Sequence, residues 1–234
     1  MRRIFFAVMA ALVVGCTAAT QAPDVRPLAE GETRVEEPVR TPPVSVGALP
    51  AMVRVPGRNF EVGRTEVTFA QWDACVVGGG CNGYRPGDEG WGRGNQPVIT
   101  VSWNDAQAYV QWLSQRTGQR YRLLTSEEWE IAARAGTTTN FSWGDQDPVC
   151  DQSARNGANF SACTDDRTRP VGSFQPNGFG LYDVHGNVWE WVEDAEGSSR
   201  VLRGGSWDDG PQYLRWAYPE SRYGIIGFRV ARTV

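Results

Sequence analysis

One histidine in 234 residues, and no cysteine after Cys163, restrict the chemistry open to this chain. A lone imidazole builds no histidine-rich metal centre, and the absence of a CxxC knuckle removes the usual frame for zinc. Basic charge is short as well. Asp and Glu number 27 against 23 Arg and Lys, a formal charge of −4, so no electrostatic footprint for nucleic acid is present. The apolar run from Ile4 to Val14 is too short to span a bilayer as a helix.

What the chain does contain is aromatic and glycine-rich. Ten tryptophans and 27 glycines with a hydrophobic fraction of 41% describe one sizeable core in which large rings fill space between irregular segments. Arg2 and Arg3 ahead of the apolar run mark residues 1–15 as a signal peptide, excluded from the fold. The run ends in Val13-Val14-Gly15-Cys16, which resembles a bacterial lipobox, so Cys16 is expected to carry lipid and anchor the mature chain in the cell envelope. With Thr17 rather than aspartate next, the expected destination in a Gram-negative cell is the outer membrane. A plain secretory signal with a bystander cysteine is the alternative.

Export agrees with cysteine parity. Setting Cys16 aside leaves Cys75, Cys81, Cys150 and Cys163, an even number in an oxidising compartment. Three pairings are possible. The short glycine-containing loops favour the local one, Cys75 with Cys81 and Cys150 with Cys163. Residues 16–46 are rich in Pro, Ala, Thr, Glu and Arg and read as a disordered tether, which leaves 47–234 as a single domain.

Three helices are expected in that domain. Thr68 caps a helix that places Phe69, Trp72 and Val76 on one side; Ser102 with Asp105 opens a second, whose stripe is Trp103, Ala106, Tyr109, Val110 and Leu113 and whose stop is Gly118. Thr125 with Glu128 opens a third, with Trp129, Ala132 and Ala133 inward and Gly136 at its end. Beyond it, RPVGSF, RVLRGGSW and GFRVAR read as short strands.

The segments RTEVTFAQWDAC, PVITVSWNDAQAYVQWLS, YRLLTSEEWEIAARAG, PNGFGLYDVHGNVWEWVED, RGGSW and GFRVAR, in that order, resemble the formylglycine-generating enzyme or sulfatase-modifying factor family along nearly the whole domain. The resemblance implies an α+β, C-type-lectin-like fold, poor in regular secondary structure and stiffened by calcium. It implies a calcium ion held by the side chain of Asp183, the carbonyls of Gly186 and Val188 and the carboxylate of Glu190, a set that suits a hard cation wanting six to eight oxygens. The competing reading has Asp183 ending a turn and Glu190 paired with an arginine such as Arg203. A second calcium site is implied at Asn159 and Phe160 with Asp165 or Asp166. There the shortened spacing and Cys163 fit an Asx turn closed by a disulfide equally well. His185 has no evident nucleophile beside it and reads as a turn residue. Trp189 and Trp191 face opposite sides of a strand-like segment, which leaves one ring able to line a groove, but core packing is the expected use of such rings.

Catalysis in the family, by the same resemblance, uses copper held by two thiolates shortly after the GGS motif. The matching positions here are Asp209 and Leu214, which offer no soft donor, so copper is not expected. Asp208, Asp209, Arg203, Arg215, Arg222 and Arg229, with Tyr213, Trp216 and Tyr223, line either a recognition surface in the vacated cleft or a solvated charged face. The expected function is that of a non-catalytic, calcium-stabilised module binding a protein or glycan of the envelope. The alternative is a formylglycine-generating oxidoreductase acting on a sulfatase or related client.

Overall fold

The computed structural model describes residues 49–215 and 225–234. The signal segment, Cys16, the tether, Trp216, Arg222 and Tyr223 lie outside the described residues. Among those described, no helix is long and apolar enough to cross a membrane.

All three helices form where their caps place them. In α1 (Phe69–Val77) the Thr68 hydroxyl accepts the backbone N–H of Gln71 while the Gln71 side chain returns to the backbone of Thr68. Ser102 with Asp105 makes the same reciprocal cap on α2 (Trp103–Thr117), and Thr125 with Glu128 on α3 (Ser126–Arg134). Each such box satisfies two N–H groups that a helix start leaves without partners, an effect of about 1 kcal/mol. Gly118 closes α2 in the left-handed conformation. The end of α3 differs from expectation: Ala135 itself takes the left-handed cap at φ 50°, with Gly136 following it.

Seven short strands accompany the helices among the described residues. β1 (Met52–Arg54), β2 (Phe60–Gly63), β7 (Ala231–Thr233) and β3 (Tyr121–Arg122) form one antiparallel sheet in that order, so the last strand lies between β2 and β3 and ties the end of the chain to its start. In the second sheet, β4 (Trp189–Glu196) lies between antiparallel β5 (Ser199–Arg203) and parallel β6 (Ile226–Gly227). RPVGSF forms no strand, and GFRVAR is divided between β6 and β7. The carbonyl and N–H of Asn95 and Val171 join instead in an isolated loop contact at 2.9 Å, the kind of bond that replaces a ladder where proline and glycine interrupt the chain.

The largest apolar cluster is built on rings: Trp72 stacks on Tyr109 at 5.9 Å, and Phe228 meets both edge-on. A second cluster joins Phe60, Val62, Leu124, Trp129, Leu181 and Val192, and a third joins Phe141, Ala158, Phe160, Cys163 and Leu214. Disulfides connect Cys75 to Cys81 and Cys150 to Cys163, the local pairing. Trp191 is a core ring whose indole N–H reaches the Val101 carbonyl at 2.9 Å, while Trp189 is half-buried against the first cluster.

Candidate functional site

The loop from Asp183 to Glu190 is buried almost throughout and is held in shape by its own polar groups. Gly186 takes φ 89°, and a Cβ there would lie 2.1 Å from the Asn159 carbonyl oxygen, so only glycine lets the two segments meet. Asn187, also left-handed at φ 68°, uses its whole amide. Its carbonyl oxygen accepts from Asn159 Nδ2 and the Arg169 N–H, and its Nδ2 donates to Glu66 at 2.9 Å and to the Arg169 carbonyl.

Beneath this loop sits a buried cluster of charge. Arg229, only 1% exposed, donates through Nη2 and Nε to the two oxygens of Glu190 at 2.6 and 2.7 Å, through Nη1 to the Gly63 carbonyl and through Nη2 to the Tyr182 carbonyl. Glu190 also accepts the indole N–H of Trp129 at 2.7 Å. This corrects the pairing expected with Arg203, which instead donates to the Ser126 hydroxyl and lies 3.8 Å from Glu130. It also takes Arg229 out of the cleft-lining group. Glu66, fully buried, receives Asn187 Nδ2 and the Val188 N–H; burial, with Asp183 and Glu190 nearby, pushes its carboxyl well above the usual carboxylate range. Burial raises Asp183 to about 6, although the Gly172 N–H at 2.6 Å and Arg229 oppose the shift.

Calcium fits this cluster in part. Glu66, Asp183 and Glu190 set three buried carboxylates against one guanidinium, an excess of negative charge that a cation would offset. Glu190, however, is already committed to Arg229 and Trp129. No three His, Cys, Asp or Glu side chains among the described residues converge as a metal site, so an ion here would rest on Asp183 and on backbone carbonyls such as those of Gly186 and Val188. The second set is engaged in part by other contacts. Asp165 pairs with Arg169 at 2.8 Å, Asn159 turns its Nδ2 to the Arg167 carbonyl and to Asn187, and Phe160 is packed in the third apolar cluster.

At Asp209 and Leu214, the positions that the resemblance sets against thiolates, neither side chain is a soft donor. Asp209 closes a turn by accepting the N–H and the hydroxyl of Ser206. Leu214 is fully buried against Phe141, Ala158, Phe160 and Cys163. All four described cysteines are spent in disulfides. Cu(I) wants sulfur, and the donors present are a carboxylate and a hydrocarbon, so the residues do not fit copper.

His185 is a buried strut rather than a base. Its Nδ1 lies 3.0 Å from the Leu214 carbonyl, which can only accept, so Nδ1 carries the proton and Nε2 is left to receive Ser142. Both the N–H and the hydroxyl of Ser142 approach Nε2, at 3.1 and 3.2 Å. Burial lowers the imidazole to about 4, so it is neutral at physiological pH with its lone pair engaged.

Comparison with known proteins agrees with this architecture. The family model described as the Sulfatase-modifying factor enzyme 1-like domain matches residues 16–234. The chain belongs to that family. Its fold is the family's α+β, C-type-lectin-like one. A formylglycine-generating enzyme of Streptomyces coelicolor is 36% identical over 174 residues, which cover 60% of this chain and 54% of that protein. An inactive C-alpha-formylglycine-generating enzyme 2 of Bos taurus is 40% identical over 131 residues, covering 48% of this chain and 39% of its own. The chain thus spans about half the length of the first and less of the second. The structure of PvdO from Pseudomonas aeruginosa aligns with a TM-score of 0.61 at 33% identity over 75% of this chain and 80% of that one.

Within this sulfatase-modifying-factor-like domain, sequence reasoning missed Glu66, Asn187 and Ser142. Glu66 carries a readable signal, an acid in the RTEVTFAQW motif beside apolar neighbours. Asn187 follows Gly186 at a turn, where an amide able to take positive φ is favoured. Ser142 has no such signal, because only the folded chain brings it to His185.

Proposed function

We propose that this chain is a non-catalytic member of the sulfatase-modifying factor family, an envelope lipoprotein anchored through Cys16 in the outer membrane, whose domain binds a protein or glycan. The observation that carries the reading is the pair Asp209 and Leu214, one closing a turn on Ser206 and the other sealed in an apolar cluster, at the positions where the family's oxidase needs thiolates. The bovine relative named as inactive shows that the family includes members without the activity. A binding role draws support from Trp91 and Trp207, half-buried rings meeting edge-on at 5.6 Å. Such rings suit the apolar face of a sugar. Calcium, held by Asp183 with the carbonyls of Gly186 and Val188 and close to Glu190, would supply structural charge and no chemistry.

The competing reading is formylglycine formation, favoured by 36% identity to the Streptomyces coelicolor enzyme. Incubation of the purified chain with Cu(I), oxygen and a cysteine-containing sulfatase peptide separates the two. The expected result is an unmodified peptide mass; conversion of the cysteine to an aldehyde overturns the non-catalytic assignment.

A further inference from the structure

One end of the first sheet carries positive charge that no carboxylate among the described residues neutralises. Residues 49–60, 106–126 and 225–234 contain no Asp or Glu, and Glu61 is the only acid on β1, β2, β7 and β3. Glu61 is taken by Arg232. Arg54, Arg58 and Arg120 are exposed, and none of their guanidinium groups has a partner among the described residues. In a chain of net charge −4 this is a local gap in the acids.

Backbone bonds gather the three arginines at that end. The Arg58 N–H donates to the Val55 carbonyl in the turn between β1 and β2, and Phe60 lies in register with Thr233. The Val234 N–H donates to the Asn59 carbonyl at 3.1 Å and the Thr233 N–H to the Arg120 carbonyl at 3.4 Å. Four adjacent strands span about 15 Å, which sets the width of the patch. Pro56, exposed, and Val234, 51% exposed, stand among the charges. Even a terminal carboxylate at Val234 offsets only one of the three.

We propose that this end of the sheet docks on the anionic headgroups of the membrane that holds the Cys16 anchor, an inference that rests on the lipoprotein reading above. Residues 16–46 would reach about 30 Å as a random coil, so the anchor alone does not choose which face of the domain meets the bilayer. The arginines make that choice, because their attraction to anionic lipid acts only within a Debye length, about 8 Å at physiological salt. A fluid headgroup layer supplies a phosphate to each of three separated guanidinium groups without a matching shape, and it accepts small apolar tips such as Pro56 and Val234 between them.

The test uses the mature chain, residues 16–234, with Cys16→Ser to exclude acylation, sedimented with vesicles of phosphatidylcholine or of equal parts phosphatidylcholine and phosphatidylglycerol. Binding to the anionic vesicles alone is expected, and its loss in about 0.5 M NaCl. Arg54→Gln, Arg58→Gln and Arg120→Gln together are expected to weaken it about a hundredfold. Arg85→Gln, Arg155→Gln and Arg167→Gln together remove the same charge from exposed arginines elsewhere and are expected to leave it nearly unchanged. Equal weakening by the two triple variants, or no preference for the anionic vesicles, overturns the proposal. The acyl mass on Cys16 of the membrane-extracted full chain tests the anchor separately: an unmodified cysteine overturns the lipoprotein reading, while the vesicle result still decides whether the arginines bind anionic lipid.

Discussion

Removing one charge from the pair between Arg229 and Glu190 acts differently from its two sides. Both side chains are 1% exposed, and Glu190 additionally holds the Trp129 indole, so Glu190→Gln leaves the guanidinium facing a neutral amide, with the carboxylates of Glu66 and Asp183 still nearby. Breaking a buried pair from one side costs about 3–5 kcal/mol where the remaining charge is abandoned, and Glu190→Gln should fall below that range. Arg229→Met should cost the full amount, because it leaves Glu190 beside Glu66 and Asp183 with no cation. The double variant should lose clearly less than the sum, with a coupling of about 2 kcal/mol or more in urea unfolding. Additive losses would show that the two charges act separately. The sequence displayed both residues inside strong motifs, WEW and GFRVA, but not their contact: they are 39 positions apart in the chain, and the parallel pairing of β4 with β6 brings the motifs together.

At the scale of elements, legibility followed the reach of the forces. The helices were readable because each cap is a contact between residues three apart, such as Ser102 with Asp105, and each buried stripe repeats within a turn or two. The strands were poorly readable because many span only two or three residues, as β3, β6 and β7 do, and owe their form to partners distant in sequence. The site divided similarly. The turn at Gly186 was legible in the loop motif, whereas Ser142, brought to His185 only by the folded chain, was not. The third apolar cluster depends on a covalent tie between irregular segments, Cys150 and Cys163, that carry no helix or strand. With a sequence separation of 13, loop-closure entropy gives that bond about 3 kcal/mol, against about 2 kcal/mol for Cys75–Cys81 with a separation of 6. Replacing Cys150 and Cys163 together by serine should lower stability by at least that amount. The loss should appear first as faster hydrogen exchange at Ala158 and Cys163, whose N–H groups bond to Val149 and Phe160. Exchange unchanged at those amides would mean that Phe160 and Leu214 hold the cluster without the bond.

For the whole molecule, the charges that respond to pH are few. The chain contains no lysine, and its 23 basic residues are all arginine, which stay charged over the accessible range. Between pH 4 and 8 the response therefore comes from the carboxylates and His185. His185, depressed to about 4, adds stability that is complete above its unfolded pKa near 6.5 and is lost as pH falls through 4. Asp183, raised to about 6, does the opposite: its contribution is complete below its unfolded pKa near 3.8 and is lost as pH rises through 6. Above pH 6 the domain thus pays most for the excess of buried carboxylate, which is also the state that a divalent cation prefers. Calcium should stabilise the chain strongly at pH 8 and weakly at pH 5. At a hundredfold excess over the dissociation constant, linkage gives about 2.7 kcal/mol, a rise of roughly 5–10 °C in melting temperature for a domain of this size. Asp183→Asn keeps an acceptor for the Gly172 N–H but removes the charge, so with chelator present it should be the more stable protein at pH 8, and calcium should no longer raise its melting temperature. If chelator and calcium give the same melting temperature for the unaltered chain at pH 8, Arg229 alone balances the cluster and Asp183 holds no ion.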